Sequence, residues 1–123
     1  MELTTKNIKI INDFTLHCRN KLGIKEPEIK IKLLTTSQKA PSAGGFNVQT
    51  KEVLCCIKNR AVADILRTIA HELTHMKQLL VDKIIFPGDD DGLQEFEDQA
   101  NASSGKLVRF YGREHPEIYD DLN

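Results

Sequence analysis

Residues 61–81 constrain the fold more strongly than any other part of the sequence. Apolar side chains recur there at steps of three and four residues, the period of an amphipathic α-helix. The apolar arc of this predicted helix contains Val62, Leu66, Ile69, Ala70, Leu73, Met76 and Leu80. The opposite arc contains Asp64, Thr68, His71, His75 and Gln78. The apolar arc must be buried against other elements, so the histidines face either solvent or something laid across them.

Two further helices are predicted on either side of this one. Residues 4–22 repeat apolar side chains at helical spacing, and Gly23 suits a helix C-cap. Residues 93–112 form the last predicted helix, which follows an acidic loop bounded by glycines at residues 88–92. The predicted protein therefore begins and ends in helical structure.

Three strands are predicted between the first two helices. Residues 28–33 alternate strictly between polar and apolar side chains, which is typical of a half-buried strand. Residues 35–45 form a loop of small residues, and residues 46–49 and 53–57 form two strands joined by a short turn. Because the strands are clustered and do not alternate with helices, the fold class predicted is α+β with a small three-stranded sheet.

Composition limits the partners and the compartment. The 123 residues fit a single domain, 1–123, and the net charge of −1 gives no reason to expect binding to nucleic acid or to an anionic membrane. No apolar run approaches the roughly 20 residues of a membrane span, and the first residues lack the basic start and apolar stretch of a signal peptide. We therefore expect a cytoplasmic protein. Its three cysteines, two of them adjacent, are expected to be reduced thiols.

The sequence His-Glu-Leu-Thr-His at residues 71–75 indicates a metal site. Residues four apart on a helix lie on the same face, so His71 and His75 can bind one ion. Zinc suits imidazole nitrogen and tolerates a fourth position occupied by water. Glu72, beside the first histidine, is placed to take a proton from that water and pass it to a leaving amine. Two exposed surface histidines are the alternative interpretation.

The last predicted helix offers a third ligand. Glu97 lies on its inward arc with Leu93, Ala100, Ser104, Val108 and Tyr111. A carboxylate on such a face is costly to bury without a partner, and either a basic side chain or a metal would supply one. Glu95 is two residues away, or about 200° around the helix, and is expected to face outwards. Glu97 is therefore the predicted ligand.

These segments resemble small phage-encoded zinc metallopeptidases of the gluzincin type. Residues 64–78 are similar to their active-site helix, and residues 97–102, Glu-Asp-Gln-Ala-Asn-Ala, to their Glu-x-x-Ala-Asn motif. Residues 44–46 and 109–112 also resemble that group. The resemblance implies a minimal zincin: a small twisted sheet, an active-site helix and a glutamate helix. It further implies that Asn101 orients a zinc-bound histidine, although a solvated asparagine is an equal alternative.

Other polar residues have weaker claims to a role. Tyr111, Arg113 and His115 are candidates to stabilise an oxyanion. Tyr111 follows Glu97 by 14 residues, about 21 Å along an unbroken helix, so it reaches the ion only if the helix bends. Core packing for Tyr111 and a surface position for His115 are the simpler expectations. Gln78 lies near the histidine face, where it would either line the cleft or, as the simpler expectation, be exposed.

The sequence thus predicts a one-domain peptidase that binds zinc through His71, His75 and Glu97 and uses Glu72 as its base. Its substrate would be a peptide or protein. A catalytically weak or inactive zinc-binding module, associated with a phage or virion, is the alternative function. A regulator that cleaves one repressor or toxin partner is a third. The resemblance places such a protein in the cytoplasm of a bacterial host or in a virion.

Overall fold

The computed structural model describes residues 1–25, 29–35 and 43–120, and over these residues it confirms the α+β class. Parts of the predicted strand at 28–33 and of the predicted loop at 35–45 lie outside the described residues. In chain order the elements are α1 (Thr5–Leu22), β1 (Lys30–Leu34), β2 (Gly44–Asn47), β3 (Glu52–Cys56), α2 (Val62–Leu80), α3 (Asp90–Glu114) and a short 3₁₀-helix (Pro116–Tyr119).

The sheet is mixed, with β3 in its centre. The strand order is β1-β3-β2, where β1 runs parallel to β3 and β2 runs antiparallel to it. A tight turn joins β2 to β3. In this turn the Asn47 side chain accepts hydrogen bonds from the backbone N–H groups of Gln49 (2.9 Å) and Thr50 (3.1 Å). This connection places β2 beside α2. Both β2 and β3 contact α2.

Helix α2 is the centre of the molecule, since it contacts β2, β3, α1 and α3. Its predicted apolar arc is buried except for Leu80, which is half-buried, and α1 covers part of the arc with Ile11, Phe14 and Cys18. Helix α1 ends at Leu22, and Gly23 follows as its C-cap with a positive φ of 70°, which confirms the prediction. All three cysteines are buried and free. In the part of the chain that the structure describes, no helix is long and apolar enough to cross a membrane.

Helix α3 differs from its prediction at both ends. Asp89 is its N-cap and accepts a 2.6 Å hydrogen bond from the Gly92 backbone N–H, so the acidic run forms the first turn of a helix and is not a loop. Carboxylates at this position interact favourably with the positive end of the helix dipole. The helix also continues through Gly112. The predicted inward position of Leu93 is wrong, since it is exposed and its neighbour Phe96 is buried.

Candidate metal centre

Helix α2 brings the two histidines together on the face that α3 covers. Their Nε2 atoms lie 3.1 Å apart, as expected for residues one helical turn apart that point the same way. His75 is almost fully buried, and His71 keeps about a fifth of its side chain exposed. Burial, followed by the neighbouring His75, lowers the pKa of His71. Both histidines therefore face another element and are not surface histidines.

Helix α3 supplies Glu97 to the same point. Its Oε2 lies 3.1 Å from His71 Nε2, and its Oε1 lies 3.1 Å from His75 Nε2. The three side chains thus offer one ligand atom each, all within 4.8 Å of one another, and the group could hold a metal ion. Glu95 instead lines a separate depression with Ile84 and Phe96. The structure therefore places Glu97, and not Glu95, beside the histidines.

Gln78 determines which nitrogen of His75 carries the proton. The Gln78 amide nitrogen donates to the backbone oxygen of Phe96 (3.1 Å) and to Gln99 Oε1 (3.0 Å), which orients the amide. Its oxygen then accepts from His75 Nδ1 at 2.8 Å. In the neutral imidazole, Nε2 must therefore hold a lone pair. The expectation that Gln78 is exposed is wrong, because α3 closes over it.

That lone pair makes the contact between His75 and Glu97 informative. An imidazole nitrogen without a proton and a carboxylate oxygen are both acceptors, and they lie 3.1 Å apart. A proton on His71 Nε2 would allow that nitrogen to donate a hydrogen bond to Glu97 or to His75. It would still leave His75 Nε2 and Glu97 Oε1 facing each other with no proton between them. A cation between the two acceptors resolves the repulsion, either as a second proton on His75 or as a metal ion. The donor set therefore fits a cation.

Aromatic rings hold the buried histidine in its orientation. The ring of Phe96 stacks on His75 with centroids 4.4 Å apart and planes 13° apart, and Phe46 of β2 lies 5.1 Å away. Together with the Gln78 hydrogen bond, these contacts leave the imidazole little freedom to rotate. Phe46 belongs to the segment 44–46 that carries the resemblance, whereas the sequence gives no sign that Phe96 covers a histidine. Phe96 directly precedes Glu97, but only packing shows that it covers the histidine.

Glu72 lies in a cleft beside the cluster. The side chain is buried, and burial followed by the charge of Glu97 raises the pKa of Glu72 to about 7. The cleft has a volume of about 250 Å³, and its lining includes His71, Thr68 and Gly44. A Cβ on Gly44 would lie 2.6 Å from Thr68 Cγ2 and 2.9 Å from the Leu54 backbone oxygen. The glycine therefore lets the backbone of β2 form the edge of the cleft.

Asn101 also lines this cleft, one helical turn after Glu97. Burial lowers the pKa of His71, whereas its interaction with Asn101 raises that pKa. Orientation of a zinc-bound histidine by Asn101 stays a prediction of the resemblance.

Tyr111, Arg113 and His115 lie elsewhere. Tyr111 is buried against Phe14 and His17 of α1, and His115 stacks on it at 4.2 Å. Because α3 is continuous, Tyr111 stays about 21 Å along the helix from Glu97. The proposed oxyanion role of these residues does not fit that position. Arg113 instead lies over the ring of Phe110.

Comparisons with models of protein families, with curated proteins and with solved structures found no match to this chain. The interpretation of the site therefore depends on the chemistry of His71, Glu72, His75 and Glu97 themselves.

Proposed function

We propose that the protein is a zinc-dependent peptidase in which His71, His75 and Glu97 hold the ion and Glu72 is the general base. The observation that supports this most directly is the approach of two acceptors, His75 Nε2 and Glu97 Oε1, to 3.1 Å. His75 is buried and Glu97 is partly exposed, and the two acceptors repel each other at this distance unless a cation joins them.

Zinc suits this group better than a hard cation does. Magnesium and calcium prefer six or more oxygen ligands, whereas two imidazoles and one carboxylate are a common zinc set. Ligand atoms about 2.05 Å from zinc in tetrahedral geometry lie about 3.3 Å apart. The two Nε2 atoms lie 3.1 Å apart, and each lies 3.1 Å from a different oxygen of Glu97, so the contacts are close to this separation with the carboxylate facing both histidines. When bound, zinc would lower the pKa of a coordinated water to about 7.

The environment of Glu72 suits a general base. Its pKa of about 7 places it near the pH at which a base is most effective. A cation at the neighbouring cluster would lower this pKa, because opposite charge favours the carboxylate. Glu72 would take a proton from the attacking water and pass it to the amine that leaves. The substrate would lie in the cleft between the β2 edge and α3.

A zinc-binding module without hydrolysis is the second candidate. The position of Tyr111 and His115 favours it, because these predicted oxyanion stabilisers lie at the far end of α3. The burial of Glu72 favours the peptidase, since a structural zinc site does not require a carboxylate beside its ligands.

Replacement of Glu72 by Gln separates the two functions. The protein should bind about one zinc per chain, measured by elemental analysis, and the variant should bind it as tightly. Digestion of a peptide library by the parent should be reduced about 10²- to 10⁴-fold in the variant, the usual effect of losing a general base. Absence of zinc in the parent would contradict both functions. A zinc-loaded parent that cleaves nothing would favour the binding module.

A further inference from the structure

Two charged side chains besides Glu72 line the cleft, and only one of them is neutralised. Asp64 forms an ion pair with Arg60, with Oδ2 and Nε 2.8 Å apart. The same guanidinium donates to Thr68 Oγ1 at 2.6 Å, which fixes it on the surface of α2. Arg60 and Asp64 therefore satisfy each other and leave no net charge at this end of the cleft.

Arg67 is the other charged side chain. It is exposed, and among residues 1–25, 29–35 and 43–120 it has neither a hydrogen bond nor an ion pair. A guanidinium in a cleft with no carboxylate partner is available to a ligand.

The position of Arg67 determines how far from the cluster of His71, His75 and Glu97 a ligand bound to its guanidinium would lie. Arg67 lies one helical turn before His71, about 6 Å along the axis of α2. Its guanidinium reaches towards α3, where a Cβ on Gly105 would lie 3.9 Å from Nη2. Gly105 lies about 12 Å along α3 from Glu97, and an extended peptide rises about 3.4 Å per residue, so a group at Arg67 lies about two to four residues from the cluster.

We propose that Arg67 binds a carboxylate of the substrate, about two to four residues from the cleaved bond. Arginine is suited to this because its planar fork can donate two parallel hydrogen bonds to a carboxylate. The carboxylate belongs either to an acidic side chain or to the C-terminus of the peptide. This inference rests on the proposed peptidase function and names the class of substrate that the same site accepts.

The experiment compares peptides that differ only in this carboxylate. A library with Asp, Glu, Asn, Gln or Lys near the cleaved bond, with free or amidated C-termini, is digested by the zinc-loaded parent and by Arg67→Gln and Arg67→Glu. The parent should prefer the carboxylate in kcat/KM by about tenfold to a hundredfold, the effect expected of a hydrogen-bonded charge. Arg67→Gln should lose this preference, and Arg67→Glu should favour Lys. Amidation removes the preference only if the C-terminus is the ligand.

A matched control and a binding measurement complete the test. Arg109→Gln removes an exposed arginine of α3 that faces Phe110 and should keep the preference of the parent. Binding of the same peptides to zinc-loaded Glu72→Gln, followed by fluorescence anisotropy, should show the same carboxylate dependence without turnover. Cleavage by the parent with no carboxylate preference, or with a preference that Arg67→Glu retains, would overturn this inference alone. No cleavage and no binding would overturn it together with the peptidase function.

Discussion

Two clusters in this protein each combine two histidines with aromatic rings, yet only one of them is arranged to bind an ion. In the cluster of α2 and α3, His71 and His75 point their Nε2 atoms at each other and at Glu97. In the cluster at α1 and the end of α3, the rings of His17 and His115 both contact Tyr111, with centroids 4.9 and 4.2 Å away.

The difference lies in the spacing of the residues and in the direction of the nitrogen lone pairs. His71 and His75 come from one helix at a separation of four residues, so their nitrogens converge. His17 lies on α1 and His115 is the C-cap of α3; His115 stacks on Tyr111, and the ring of His17 is tilted by 60° to it. The carboxylate near His115, Glu117, contacts Nδ1 at 3.3 Å in an exposed position. Residue types alone therefore do not make a metal site. A shared helical face and a convergent carboxylate do.

The largest expected effect is on metal binding when Glu97 is replaced. Glu97→Ala removes one of three ligands and should weaken zinc affinity by more than about a hundredfold, beyond the usual effect of losing a residue that only supports a ligand. Glu95→Ala, two residues away on the same helix, should keep the affinity of the parent. Competition with a chromogenic chelator measures both.

The second cluster provides a further control for that experiment. His115→Ala should leave zinc affinity unchanged, because His115 stacks on Tyr111 far from the three ligands. Loss of zinc in this variant, or in Glu95→Ala, would mean that the two clusters are not independent.

An intermediate effect is expected when Gln78 is replaced. Gln78→Leu removes the acceptor that holds the proton on His75 Nδ1 and should weaken zinc affinity by about tenfold to a hundredfold. Gln78→Glu keeps an acceptor at that position and should recover part of the affinity. Gln94→Leu is a matched control, since among the residues that the structure describes Gln94 hydrogen-bonds only to Asp98, on the exposed side of α3. Equal affinities in all three variants would show that Gln78 does not orient the histidine.

The smallest effect is expected in the second cluster and concerns pH. Burial, followed by the charge of Lys21, lowers the pKa of His17 in the folded protein, so the unfolded chain binds more protons as the pH falls. The free energy of unfolding contributed by this group is therefore lost as the pH falls from about 6.5 towards the folded pKa. His17→Gln should unfold with a shallower dependence on pH below 6.5, measured by urea titration of the metal-free protein. A steeper dependence in the variant would contradict this assignment.

Local patterns in the sequence are sufficient to predict the three helices and the candidate ligands His71, His75 and Glu97. The three-residue and four-residue periodicity predicted the three helices, and the spacing of His71 and His75 depends only on local helix geometry. The helix wheel also separated Glu97 from Glu95, because a rotation of 200° does not depend on the rest of the fold. These features are local, so the sequence is sufficient to predict them.

The surroundings of those ligands depend on the tertiary structure. The strand order β1-β3-β2, the burial of Gln78 and the stacking of Phe96 on His75 all depend on contacts between elements distant in sequence. The sequence pattern of α3 does not contain the elements that cover this helix, so the predicted inward arc wrongly included Leu93. Packing of α3 across α2 buries Phe96 instead, because a side chain becomes buried only when a neighbouring element covers it, and no local periodicity contains that neighbour.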